Sequence, residues 1–117
     1  MTLETALIGL LEGKCPRVFP VVAPFSTPTP YITWQHIGGQ SLRYADNTAG
    51  DRRNAEIQLN VWADTSYEAF ALIRAVEDAL CASAALQATP QGEPMDSFDE
   101  GDTRRGALQS FSIWGDR

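Results

Sequence analysis

The sequence predicts an α+β fold, with two helices packed on one face of a mainly antiparallel sheet of about four strands. Three observations carry this expectation. Two segments, 3–12 and 66–82, repeat apolar residues with the period of an amphipathic helix. A third, 53–63, alternates apolar and polar residues with the two-residue period of a strand buried on one side. Strand-like segments lie on both sides of the second helix, an order that suits helices laid against one sheet face. With 117 residues, 44% of them hydrophobic, the chain is long enough for one core, and residues 1–117 read as a single domain.

The first helix places Leu3, Ala6, Leu7, Leu10 and Leu11 on one stripe, with Thr2 as N-cap and Gly13 just past its end. From Cys15 to Pro30 the prolines at 16, 20, 24, 28 and 30 exclude a helix interior and favour an extended path. Val18, Phe19, Val21, Val22 and Phe25 are too apolar for a free linker, so an ordered connection is expected. Tyr31 to Ile37 is aromatic and β-branched, ends at Gly38-Gly39, and reads as a strand with Ile32, Trp34 and His36 on one face. Residues 41–45 extend or restart the pairing, and Asp46 to Asp51 is dense in turn formers, as in a mobile hairpin loop.

Arg53 to Ala63 then puts Ala55, Ile57, Leu59, Val61 and Ala63 on one side and Glu56, Gln58, Asn60 and Trp62 on the other. Thr65-Ser66-Tyr67-Glu68 fits a capping box, so the second helix should begin at Ser66 and end near Ala82. Its stripe is Ala69, Leu72, Ile73, Val76, Ala79 and Leu80. Ala84 to Thr89 reads as a short strand broken by Pro90-Gln91-Gly92-Glu93-Pro94. The last strand, Gly106 to Trp114, alternates Ala107, Gln109, Phe111 and Ile113 with Leu108, Ser110, Ser112 and Trp114. Trp62 and Trp114 would sit among polar neighbours on an uncovered sheet face, which points to assembly through the sheet.

Charge narrows the functions. Nine Lys and Arg against fifteen Asp and Glu give a net charge of −6, which argues against specific nucleic-acid binding or attachment to an anionic membrane. Five acidic residues and no basic one fall between Gln91 and Thr103, so most of the imbalance is local and the rest of the chain is nearly neutral. No apolar run approaches the roughly 20 residues of a membrane span, and a soluble, unexported protein is expected.

No enzyme signature is present. Cys15 and Cys81 are far apart and read as reduced, and with one histidine, His36, a structural zinc site lacks ligands. His36 as a general base would need a nucleophile and an orienting group that no motif supplies. The acidic stretch Glu93, Asp96, Asp99, Glu100 and Asp102 does not match the spacing of a calcium loop and reads as a solvated loop. No catalytic, cofactor or metal site is therefore assigned. Arg52-Arg53 and Arg104-Arg105 each open a strand, and because neighbours on a strand point to opposite faces, one arginine of each pair is expected in any common patch. Edge protection is one reading of these doublets. The other is pairing between subunits, an arginine of one copy facing the acidic loop of the next.

Two stretches give the chain a family resemblance. One is Arg17-Val18-Phe19-Pro20 with Pro30-Tyr31-Ile32-Thr33 and Ile37-Gly38-Gly39. The other is Glu56-Ile57-Gln58-Leu59-Asn60-Val61-Trp62-Ala63 leading into Tyr67-Glu68-Ala69 and the helix Ala71 to Leu80. With the opening helix, they make the chain resemble the small tail completion proteins of long-tailed bacteriophages and prophages, also described as tail terminator or head-to-tail joining proteins. The likeness runs to about Leu80 and loosens from there to the final strand.

The resemblance implies a structural virion protein of the tail or neck, assembled in the host cytoplasm. It implies an α+β fold with a flexible hairpin loop that forms a homo-oligomeric, hexameric ring. The implied partners are further copies of itself, the tail tube protein and the head-tail connector, with DNA passing through the ring unbound. Interface candidates are then Asp46, Asn47, Asp51, Arg52, Arg53, Trp62, Arg104 and Arg105. A rival reading is a stand-alone dimeric module binding a small ligand in a pocket lined by Tyr31, Trp34 and Trp62.

Overall fold

The computed structural model describes residues 2–24, 26–41, 43, 45–47, 50–98 and 104–117. In chain order the elements are α1 (Leu3–Glu12), β1 (Val18–Pro20), β2 (Tyr31–Gly38), β3 (Arg52–Ala63), α2 (Ser66–Ala82), β4 (Gln87–Pro90), β5 (Met95–Phe98) and β6 (Arg105–Asp116). Among the described residues the strands form one six-stranded sheet ordered β1-β2-β3-β6-β4, with β5 also pairing β6.

Both helices start where the sequence places them. The Thr2 hydroxyl accepts from the Thr5 amide at 3.3 Å, and the Thr65 hydroxyl accepts from the Glu68 amide at 3.1 Å, so each cap satisfies one amide of its first turn. Leu3, Leu7 and Leu11 of α1 and Ala69, Ile73, Val76 and Leu80 of α2 are buried. They meet the sheet face carrying Ile32, Trp34, Ala55, Ile57, Leu59, Val61, Ala107, Phe111 and Ile113. The register joins these residues in pairs, Trp34 opposite Leu59 and Ile57 opposite Phe111. A single apolar layer is thus continuous across the three central strands, as expected when one sheet face is covered.

The sheet departs from expectation in two ways. It has six strands rather than about four, and it is mixed, because β1 runs parallel to β2 with Val18 opposite Ile32. The proline-rich segment is the crossover that a parallel pair requires. Arg17 holds that crossover: its Nε donates to the Pro28 and Pro30 carbonyls at 2.9 and 3.0 Å, and its Nη2 donates to the Thr29 carbonyl at 3.3 Å. Beyond β1, Val21 has a φ of 61°, and the Val22 amide turns back to the Pro20 carbonyl at 2.6 Å. That γ-turn occupies the carbonyl of a residue that has no N–H, leaving little of the β1 edge for another strand.

The other edge is interrupted. The expected strand at 84–89 is shorter and lies at Gln87–Pro90, and the chain resumes pairing at Met95–Phe98, within the stretch expected to be a solvated loop. Thr89 lies opposite Ser112 and Met95 opposite Leu108, so β4 and β5 are two pieces of one edge against β6, separated by residues 91–94. Gln109 holds the gap. Its side chain is buried on the helix face, and its Nε2 donates to the Gly92 carbonyl at 2.9 Å and to Glu77 Oε1 at 3.2 Å. Asp99, Glu100 and Asp102 lie outside the described residues.

Candidate functional site

At one end of the sheet, β2 leaves through Gly38 and Gly39, β3 enters at Arg52, and β6 ends at Asp116. A β-bulge between His36 and Gly38 shifts the β2 register there. Gly39 has a φ of 139°, and a Cβ on it would lie 2.6 Å from the Asn54 carbonyl oxygen, so only glycine lets β2 pass this close to β3. The result is an open polar cleft of about 510 Å³ lined by residues 38–41, Glu4, Asn54 and four arginines, Arg43, Arg52, Arg53 and Arg117.

Each wall of the cleft has a physical origin. Arg53 lies on the helix side of β3 and pairs with Glu4 in the first turn of α1, where His36 Nε2 also reaches Glu4 Oε2 at 3.1 Å. Arg52 lies on the opposite side, 3.6 Å from Asp116, with its Nη2 donating to the Trp114 carbonyl at 3.1 Å. Asn54 accepts from the Gln40 amide at 3.0 Å and donates to the Ser112 hydroxyl, tying the β2 exit to β6. The expectation that one arginine of a doublet joins a common patch fails here. The cleft wraps the end of the sheet, so residues on opposite faces both reach it. Arg105 pairs with both Ala63 and Phe98, so that doublet does not open an edge, whereas Arg52 and Arg53 precede the stretch of β3 that β2 pairs.

The second doublet lies at the far end of β6. Arg104 donates through Nη1 to the Tyr31 hydroxyl at 2.9 Å and stands 5.4 Å from its ring centre. Tyr31 stacks on Trp62 at 6.5 Å, and Trp62 rests on Gly106, where a Cβ would approach its ring to 3.0 Å. Arg105 Nη1 donates to the Arg104 carbonyl at 3.3 Å. Trp62 is therefore half-buried within its own chain, as is Trp114 on the same sheet face. Asp46 and Asn47 are exposed in the β2–β3 connection, Asn47 with a φ of 69°, and Asp51 accepts from the Arg117 amide at 3.2 Å.

Between the two ends, the sheet face turned away from the helices pairs Gln35 with Gln58, Thr33 with Asn60, and Gln58 with Ser110. It is a field of amides and hydroxyls with Glu56, which accepts from Gln91 Nε2 at 3.3 Å. The tyrosine and tryptophans of the ligand-pocket reading do not converge. Trp34 is in the core beneath the helices, whereas Tyr31 and Trp62 lie on the other face.

Among the described residues His36 meets Glu4 and, edge-on at 5.5 Å, Trp34. Cys15 is buried and donates to the Pro30 carbonyl at 3.3 Å. Cys81 is exposed, and partial burial together with Glu77 and Asp78 pushes its thiol pKa up, away from the thiolate a nucleophile needs. Among the described residues no group of three His, Cys, Asp or Glu side chains is arranged to hold a metal ion, and no helix is long and apolar enough to cross a membrane. The residues that sequence reasoning missed are Glu4 on α1, Gly38 to Ser41 at the exit of β2, Arg43 in the β2–β3 connection, Asn54 on β3 and Arg117 just after β6.

A solved structure described as the virion of a native gene transfer agent particle contains a similar chain. The two are 19% identical, the match covers 99% of this chain and 96% of that one, and the TM-score is 0.65, a likeness of fold. No curated protein matches the chain. The family model of tail completion protein gp17 matches residues 4–114, from the first turn of α1 to near the end of β6. The chain belongs to the tail completion protein gp17 family.

Proposed function

We propose that this phage tail structural protein caps the tail tube and joins it to the head-tail connector as a homo-oligomeric, hexameric ring in the neck of the virion. The observation that carries this reading is the extent of the family match, residues 4–114, which takes in both helices and all six strands. The work of such a protein is done through interfaces, and the partners are its own copies, the tail tube protein and the connector.

The geometry supports the reading in one further respect. The sheet face away from the helices carries Thr33, Gln35, Gln58, Asn60, Ser110 and Ser112 and no arginine or lysine in its central field. A surface of this kind, turned toward the ring axis, lets DNA pass without gripping its phosphates. Electron microscopy of particles made with the gene removed tests the function. Unjoined heads and tails lacking a terminal ring are expected, and normally capped tails attached to heads would overturn it.

A further inference from the structure

We propose that the arginine-lined cleft at the end of the sheet is a binding site for a free phosphate-class oxyanion, one with several acceptor oxygens and more than one negative charge. The cleft gathers four of the chain's nine Lys and Arg residues, Arg43, Arg52, Arg53 and Arg117, around about 510 Å³, with Glu4 as the one acidic lining residue. A chain of net charge −6 thus keeps a local excess of positive charge here. Asp116, beside Arg52, and Asp51, whose carbonyl accepts from the Arg117 amide, reduce that excess without cancelling it.

Hydrogen bonding leaves donors in surplus. The acceptors around the cleft are taken from within: Glu4 by Arg53 and His36, Asn54 Oδ1 by the Gln40 amide, and the Trp114 carbonyl by Arg52. Arg53 Nε is buried without an acceptor, and the Arg43 and Arg117 guanidinium groups make no ion pair or hydrogen bond with any described residue. Arg52 holds Asp116 at 3.6 Å with both side chains largely in water, a contact weak enough to exchange for a better-placed anion. Arg43, Arg52 and Arg117 are therefore the receiving side chains, and Arg53, committed to Glu4, is wall. A guanidinium stays charged and donates two parallel hydrogen bonds to an oxyanion. These three come from separate places, the β2–β3 connection, β3 and the residue after β6. A carboxylate offers its two oxygens in one plane, whereas the oxygens of a phosphate point in tetrahedral directions and can meet donors that converge from several sides. The space is that of a small-molecule pocket, roughly 300–1,000 Å³, and takes more than one phosphate group. The net negative charge of the chain repels a DNA duplex at longer range, which favours a small free anion over the nucleic-acid backbone.

The site is tested on the isolated full chain with inorganic tripolyphosphate, apart from any role in assembly. Calorimetric titration at fixed ionic strength should show saturable binding, and the thermal transition should rise with the concentration of the probe. Arg43→Gln with Arg117→Gln, both at exposed positions, should weaken binding about tenfold or more while the transition of the unliganded protein is retained. The single variant Arg43→Gln, with a smaller loss, serves if the double variant does not fold. Arg74→Gln removes an exposed arginine of α2 outside the cleft and should bind as the parent does, which separates the site from a general effect of charge. A duplex oligonucleotide should not displace the probe; displacement would keep the site and make the nucleic-acid backbone the source of its phosphate. No heat and no thermal shift at millimolar tripolyphosphate, an equal shift from sodium chloride at the same ionic strength, or undiminished binding by the folded double variant would overturn the proposal.

Discussion

Arg17 explains why one of the stretches that carries the family resemblance has the composition it has. The motif residues 17–20 and 30–33 are the two parallel strands and the arginine that ties them, with three carbonyls of Pro28, Thr29 and Pro30 taken by one guanidinium. Hydrogen bonds from a charged donor contribute more than neutral ones, so Arg17→Ala should destabilise the fold by about 1.5–3 kcal/mol in urea unfolding. Lysine should not restore it, because an ammonium cannot span the three carbonyls. Gln109 was visible in the sequence as a polar residue on an otherwise apolar stripe, yet the partner that justifies its burial, the Gly92 carbonyl, lies in a break whose shape no periodicity encodes. Cys81 permits a reactivity test at the same scale. Its thiol pKa is raised, so thiolate forms only at higher pH than usual, and alkylation near neutral pH should be slow for an exposed cysteine. Glu77→Gln with Asp78→Asn should speed it at fixed pH by lifting the charge repulsion, as followed by thiol-reagent kinetics.

The elements that were legible are those long enough to show a period. Both helices, β3 and β6 follow the apolar pattern that burial of one face selects, whereas β2 is marked by its aromatic and β-branched residues, its first four residues buried and its last four exposed. β1 and β5, of 3 and 4 residues, are too short to display alternation, and each owes its existence to a neighbour, β1 to the Arg17 clamp and β5 to the free side of β6. The parallel register followed from tertiary packing of the proline-rich crossover, which local sequence does not report. How α1 docks is likewise a packing matter: Gly115 lies under Leu3, and a Cβ there would come within 3.0–3.1 Å of three Leu3 side-chain atoms. Gly115→Ala should therefore lift the start of α1, loosen the Glu4–Arg53 pair, and cost about 1–3 kcal/mol, measured by chemical denaturation. Thr65→Ala, which removes only the α2 cap, should cost about 1 kcal/mol and leave α1 untouched.

At the scale of the whole molecule, charge and hydrogen bonding divide the protein into an apolar core and polar, charged ends. The sequence marked the arginine doublets and the acidic segment but could not foresee that Arg43 and Arg117 converge on Arg52 and Arg53, since that depends on where β2, β3 and β6 stop. In the connection between β2 and β3, Asp46 and Asn47 are exposed. Shortening a surface connection changes closure entropy only slightly. Replacing Asp46–Ala49 by two glycines, which keeps the buried Gly50, should thus leave the unfolding free energy within about 0.5 kcal/mol of the parent. If the link is the part of the ring that reaches the tail tube, the same variant should fail to join heads to tails in an in vitro assembly assay scored by electron microscopy. Stability and assembly would then separate in a single variant. Full joining by a stably folded short-loop protein would move the tube contact elsewhere on the molecule.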